Sequence, residues 1–118
     1  VATLKSTGFQ EAVDYKVIEC TAISATGTQS NVANGAGTLH AVIVNSTNSS
    51  DPVSVHILDG EESVNSQVVF KGVASGIKTL QIPTGFTFDE LNFWVSKYSG
   101  EDDTTSFAGN VDVSLVCS

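Results

Sequence analysis

The sequence predicts an all-β chain, an antiparallel β-sandwich of jelly-roll type with seven to eight strands in a single domain spanning residues 1–118. Short runs rich in Val, Ile and Phe recur every ~8 to 14 residues, as sandwich strands do. The segments between them supply the Gly, Pro, Asn and Asp that turns need, and no segment between them has helical period, so successive strands connect antiparallel.

The first run is 11–23, EAVDYKVIECTAI. Val13, Tyr15 and Val17 alternate there with Ile18, Cys20 and Ala22, and the β-branched content favours a strand buried on both sides for part of its length. The runs 38–45 (TLHAVIVN) and 53–59 (VSVHILD) follow, separated by NSTNSSDP and predicted to pair as a hairpin. Then come 66–71 (SQVVFK), 77–82 (IKTLQI), 86–88 (FTF), 91–98 (LNFWVSKY) and 110–117 (NVDVSLVC). Residues 1–10 show no strand pattern and are expected to form an N-terminal arm.

Strand side chains alternate between faces, so parity nominates the core. Leu39, Ala41 and Ile43 are expected inward, facing Val53, Val55 and Ile57, and Leu91, Phe93, Val95 and Val111, Val113, Leu115 give two more inward sets. Phe70, Leu80, Ile82, Phe86 and Phe88 complete the filling. Several large residues are left on the other parity. They are His40, Val42, Val44, His56 and Leu58 on the expected hairpin, and Trp94 and Tyr98 on the 91–98 run. A half-solvated sheet carries polar residues there, so these side chains are expected to form a face that another molecule covers.

Composition narrows the partner. Thirteen acidic residues oppose five lysines, arginine is absent, and the formal charge is -8. Binding to phosphate backbones and anionic headgroups rests on clustered Lys and Arg, so neither nucleic acid nor membrane is expected as a partner. No run reaches the roughly 18 to 20 apolar residues of a membrane helix, and no signal-like segment opens the chain. Val1 fits removal of an initiator methionine or of a leader.

The chemical motifs point away from catalysis. The clusters DGEE (59–62), DE (89–90) and EDD (101–103) lack the alternating spacing of a calcium loop and read as solvated turns. His40 and His56 are expected opposite each other across the hairpin, where they make half a zinc site with no third ligand at a convincing spacing. No nucleophile elbow and no carboxylate pair is nominated, so no enzyme activity, metal or cofactor is expected. Cys20 and Cys117 lie on the first long strand and the last, at parities shared with apolar neighbours. Terminal strands of sandwiches are often neighbours, which leaves two readings open, a disulfide or two buried thiols. Asn45-Ser46-Thr47 and Asn48-Ser49-Ser50 match the glycosylation acceptor pattern and serve equally as turn residues.

Trp94 and Tyr98 admit three uses. A loop or the arm covers them, a sugar stacks on them with Asn92 and Ser96 meeting its hydroxyls, or a protein docks on them. The aliphatic Val42, Val44 and Leu58 favour a protein, since sugars rarely need aliphatic walls.

The segments GTLHAVIVNSTNSSDPVSVHILDG and VVFKGVASGIKTLQIPTGFTFDELNFWVS, with the closing VDVSLVC, resemble small β-sandwich virion proteins of tailed bacteriophages over about residues 36–117. The resemblance lies in an apolar strand ending in Asn, a Ser/Thr-rich turn, a second strand ending in Asp-Gly, and a P-x-G turn before a Phe-containing segment. It implies a capsid decoration or cement protein, or a fibre, knob or spike part, working without catalysis. The implied partners are further copies of the chain, a trimer among the options, and a major capsid or other virion protein. The implied location is the virion. The alternatives are a carbohydrate- or receptor-binding module, an adhesin or fibre tip, secreted or at a cell surface, and a secreted pilin-like or immunoglobulin-like module with a Cys20–Cys117 bridge, which its redox state distinguishes.

Overall fold

Each expected run that falls among the described residues is a strand. The computed structural model describes residues 15–24, 27–60, 68–72 and 75–118. The strands are β1 (Lys16–Ile23), β2 (Gly37–Asn45), β3 (Ser54–Asp59), β4 (Val68–Lys71), β5 (Ile77–Phe88), β6 (Leu91–Ser96) and β7 (Val111–Cys117), with no helix among the described residues. The expected arm at 1–10, residues 11–14 of the first run and residues 66 and 67 lie outside the described residues. The runs 77–82 and 86–88 join into β5. This strand tolerates Pro83 because it falls in the irregular stretch between the Gln81–Ala41 and Phe86–Leu39 pairs of an edge strand, where a missing N–H breaks no ladder.

The strands form two antiparallel sheets, β1-β7-β2-β5 and β4-β3-β6, and an isolated bridge from Gln29 to Phe93 adds one residue to the free side of β6. The pairs nest: β3 with β4, β2 with β5, Gln29 with β6, and β1 with β7. The chain is thus a long hairpin rolled over itself, which is the jelly-roll topology. One core lies between the sheets, built from Leu39, Val42 and Val44, from Val55 and Ile57, from Leu91, Phe93 and Val95, and from Val111, Val113 and Leu115, with Phe70 and Phe88.

Two local expectations fail here. The hairpin between 38–45 and 53–59 does not form, because β2 belongs to the four-stranded sheet and β3 to the three-stranded one. The connection crosses between the sheets, and its serines are buried struts rather than solvated turn residues. Ser46 and Ser49 are 0% and 2% exposed. The Ser46 N–H and hydroxyl both donate to the Gly76 carbonyl, at 2.7 and 3.0 Å, and the Ser75 hydroxyl donates to Ser49 O at 3.1 Å. In the first acceptor motif the Asn45 side-chain oxygen takes hydrogen bonds from Thr47 N and Thr47 Oγ1, a side-chain turn.

The second failure is one of parity. Leu39 pairs with Cys117 and Ala41 with Val116, so His40 is an extra residue and β2 is bulged there. One inserted residue reverses every later side chain. Leu39 stays inward, but Val42 and Val44 then enter the core at 0% and 1% exposure, and Ile43 turns outward. Val42 and Val44 are therefore core residues and not part of an outer face. At roughly 1.5 to 3 kcal/mol per fully buried aliphatic side chain, these two belong to the stability of the monomer.

Candidate functional site

The expected Trp94 face exists, but it is closed. His56 and Leu58 on β3 and Trp94 on β6 do point away from the core, as parity required, yet they are 0%, 2% and 7% exposed. The segment after β6 folds back over His56 and Trp94. The Trp94 indole N–H donates to the Asp103 carbonyl at 2.7 Å, and the Trp94 and His56 rings stack with centroids 4.6 Å apart and planes 4° from parallel. The Ser96 hydroxyl donates to the Tyr98 carbonyl at 2.9 Å, and His56 Nε2 lies 2.7 Å from Ser96 Oγ and 3.3 Å from Tyr98 O. With its one proton given to that carbonyl, Ser96 accepts from His56, which places the imidazole hydrogen on Nε2.

Asp103 pins the covering segment. Its carboxylate accepts hydrogen bonds from Tyr98 N at 3.1 Å, Thr105 N at 3.2 Å and Thr105 Oγ1 at 2.7 Å. Desolvation acts to raise the Asp103 carboxyl, and the hydrogen bonds from Thr105 and Tyr98 act against it, so the group sits below the usual carboxylate range. Burial holds the His56 imidazole below its ordinary value, against the opposite pull of the Tyr98 carbonyl and the Asp103 charge. Ser96, His56 and Asp103 thus adjoin, but Ser96 is 0% exposed and its proton is committed to the fold. They close a loop and present no nucleophile to solvent.

At the other end of the same face Asn92, also 0% exposed, accepts from Asn31 N at 2.7 Å and donates to Glu90 Oε2 at 3.1 Å. The loop reading of Trp94 is therefore the one the structure shows. Trp94 and Tyr98 form no shared platform, since Tyr98 lies beyond the end of β6 and is 57% exposed, with Lys97 Nζ 5.7 Å from its ring centre.

The two histidines are not opposite each other. His40, half-buried at the bulge, meets the edge of Tyr15 (centroids 5.5 Å, 86°) and has Nε2 2.7 Å from Ser118 Oγ, while His56 lies in the other sheet. The disulfide reading fails on register. β1 and β7 are neighbours as expected, but Cys117 faces Lys16 and Cys20 faces Val113. Four residue steps separate the cysteines, about 13 Å at the strand rise, where a bridge needs Cα atoms within roughly 7 Å. Both thiols are free. Burial raises both, and for Cys117 the Lys16 charge acts the other way.

Among the described residues, exposed aliphatic side chains lie elsewhere, on the outer face of the four-stranded sheet. Its first row across the strands is Val17–Val116–Ala41–Gln81, its second Glu19–Ser114–Ile43–Thr79, and its third ends Asp112–Asn45–Ile77. Val17 is 56% and Ile77 63% exposed. A concavity of about 280 Å³ lies across the second and third rows, lined by Glu19, Thr21, Ile43, Asn45, Ile77, Asp112 and Ser114, with Cys20 at its side. Sequence parity missed this face because the bulge at His40 was not visible in it. The available signal was KVIECTAI, where both parities of β1 carry apolar residues.

No group of three or more His, Cys, Asp or Glu side chains that could hold a metal occurs among the described residues. No family model matches the chain, and no curated protein matches it. Among solved structures the chain is similar to one from the Bacillus endospore appendages described as a family of disulfide-linked pili. That match has a TM-score of 0.43 and 9% identity, and covers 87% of this chain and 83% of the other.

Proposed function

We propose that this chain is a non-enzymatic structural protein, a β-sandwich subunit that acts by packing against other protein subunits. The observation that carries this reading is the outer face of the β1-β7-β2-β5 sheet. A half-solvated sheet ordinarily shows polar residues outward, yet here Val17, Val116, Ile43 and Ile77 stand there, two of them more than half exposed. Within the structural class, the resemblance of residues 36–117 to tailed-phage virion proteins favours a capsid decoration or cement subunit. Such a subunit associates with its own copies and with a capsid lattice, and resides in the virion.

The docking surface of this proposal is the four-stranded sheet, not the sealed His56/Trp94 face. Burial of the indole also removes the support for a glycan-stacking module, because a ring that stacks on sugar must offer a face to it.

The test is quantitative mass spectrometry of purified virus particles from the source, together with light scattering of the isolated chain. A fixed copy number per particle is the expected result. Absence from particles, with a monomer that binds no other protein, refutes the proposal.

A further inference from the structure

The outer face of the four-stranded sheet combines an apolar floor with one sign of charge. Glu19 and Asp112 border the 280 Å³ concavity whose floor includes Ile43 and Ile77. The described outward rows carry no lysine. Lys16 and Lys78 belong to the opposite parity, since their ladder partners Cys117 and Val44 point into the core. Lys16 Nζ donates to the Ala33 carbonyl at 2.7 Å, and Lys78 Nζ sits 5.8 Å from the centre of the Phe70 ring.

This arrangement disfavours a second copy as occupant. Two such faces stacked about a two-fold axis bring Glu19 and Asp112 of each copy toward those of the other, over a contact that excludes water, and the whole chain carries -8. An aliphatic side chain alone leaves both carboxylates without a counter-charge, Asp112 holding only the Ala22 N–H. A lysine or arginine satisfies both halves of the site, laying its methylene stem on Ile43 and Ile77 and its cationic head against Glu19 and Asp112.

We propose that this face docks a basic, apolar-containing segment of a different protein, with a Lys or Arg side chain seated in the concavity between Glu19, Asp112, Ile43 and Ile77. The inference rests on the reading of the chain as an assembly subunit and names the chemistry of its partner. The neighbouring Val17 and Val116 extend the contact along the sheet for alternate aliphatic residues of that segment.

The test titrates the full chain at low ionic strength with a blocked hexapeptide alternating lysine and valine. A glutamate–valine hexapeptide and spermidine serve as controls. The lysine–valine peptide is expected to bind with an affinity that falls as salt rises. Glu19→Gln combined with Asp112→Asn, which keeps an acceptor for the Ala22 N–H, is expected to weaken binding roughly tenfold, the combined worth of two partly exposed ion pairs. Ile77→Ser is expected to weaken it several-fold while the far-UV melting curve stays unchanged.

Equal binding of the glutamate–valine peptide, or unchanged affinity in the double variant, overturns the proposal. So does spermidine binding as tightly as the peptide, which reduces the site to an amine trap. Self-association abolished by Ile77→Ser shows a second copy on this face and overturns it too. These outcomes are separate from the particle inventory, since the chain can be a stoichiometric particle component while this face binds no basic segment.

Discussion

Replacing Trp94 by alanine separates an interior residue from a docking residue. The indole is 7% exposed, stacks on His56 at 4.6 Å and donates to the Asp103 carbonyl at 2.7 Å. Truncating a buried Trp costs about 3–5 kcal/mol, whereas a surface substitution away from special features stays within about 0.5 kcal/mol. For a chain of this length the unfolding entropy near the midpoint is about 0.25 kcal/mol/K, so each kcal/mol moves Tm by about 4 °C. Trp94→Ala is therefore expected to lower Tm by about 12–20 °C when read by far-UV circular dichroism. Trp94→Phe keeps a ring on His56 and loses the hydrogen bond to the Asp103 carbonyl, so it falls between the two. In the parent chain the emission maximum is expected at the short wavelength of a buried indole, and a collisional quencher reaches it poorly. A melt of Trp94→Ala within about 2 °C of the parent, the surface-substitution range, together with parent-chain emission typical of solvated indole, refutes the closed-face geometry.

Stability is expected to fall as pH is lowered through and below 6.5. The folded His56 pKa lies below the unfolded value of 6.5, so the unfolded chain takes up the proton first, and the loss from this group levels off once the pH passes the folded pKa. Asp103 adds a second decline below its ordinary 3.8, since its folded pKa is also lowered. Urea midpoints measured down the pH scale check both, and a curve from His56→Gln that keeps the upper decline contradicts the assignment. Thiol labelling under denaturing, non-reducing conditions is expected to find both Cys20 and Cys117 reactive, and native labelling to be slow because burial holds both as thiols. One disulfide-linked monomer fraction contradicts the register of β1 on β7. Val42→Asp places an unpaired charge in the core and is expected to prevent folding, while Ile43→Asp at the adjacent outward position leaves a folded chain; the reverse result removes the bulge at His40.

Much of the architecture is legible in the run of residues. The strands at 53–59, 91–98 and 110–117 announce their inward sets through simple alternation, and Val55, Ile57, Leu91, Phe93, Val95, Val111, Val113 and Leu115 all lie in the core. The outward placement of His56, Leu58 and Trp94 was equally legible. What alternation could not say is whether that face is open, because the answer lies in a loop held by Asp103 through backbone contacts that have no periodicity. On β2 the reading slipped at His40, since a bulge is set by the demands of two neighbouring strands and leaves no mark in the strand's own pattern. The outward-facing Val17, Ile43 and Ile77 become a single surface only when β1, β2 and β5 are brought into one sheet.

Period-two patterning and turn chemistry are properties of neighbours along the chain, so they determine that this protein is all-β, where its strands lie and which residues can share a face. Sheet membership, register and the covering of each face depend on pairings between residues far apart in sequence, 90 residues apart for the Ala22 contact with Asp112. Those pairings are chosen by the free energy of the whole fold. Tertiary structure therefore decided that Trp94 and His56 are walled in, that the two cysteines stand about four residue steps apart, and that the open apolar surface belongs to the other sheet.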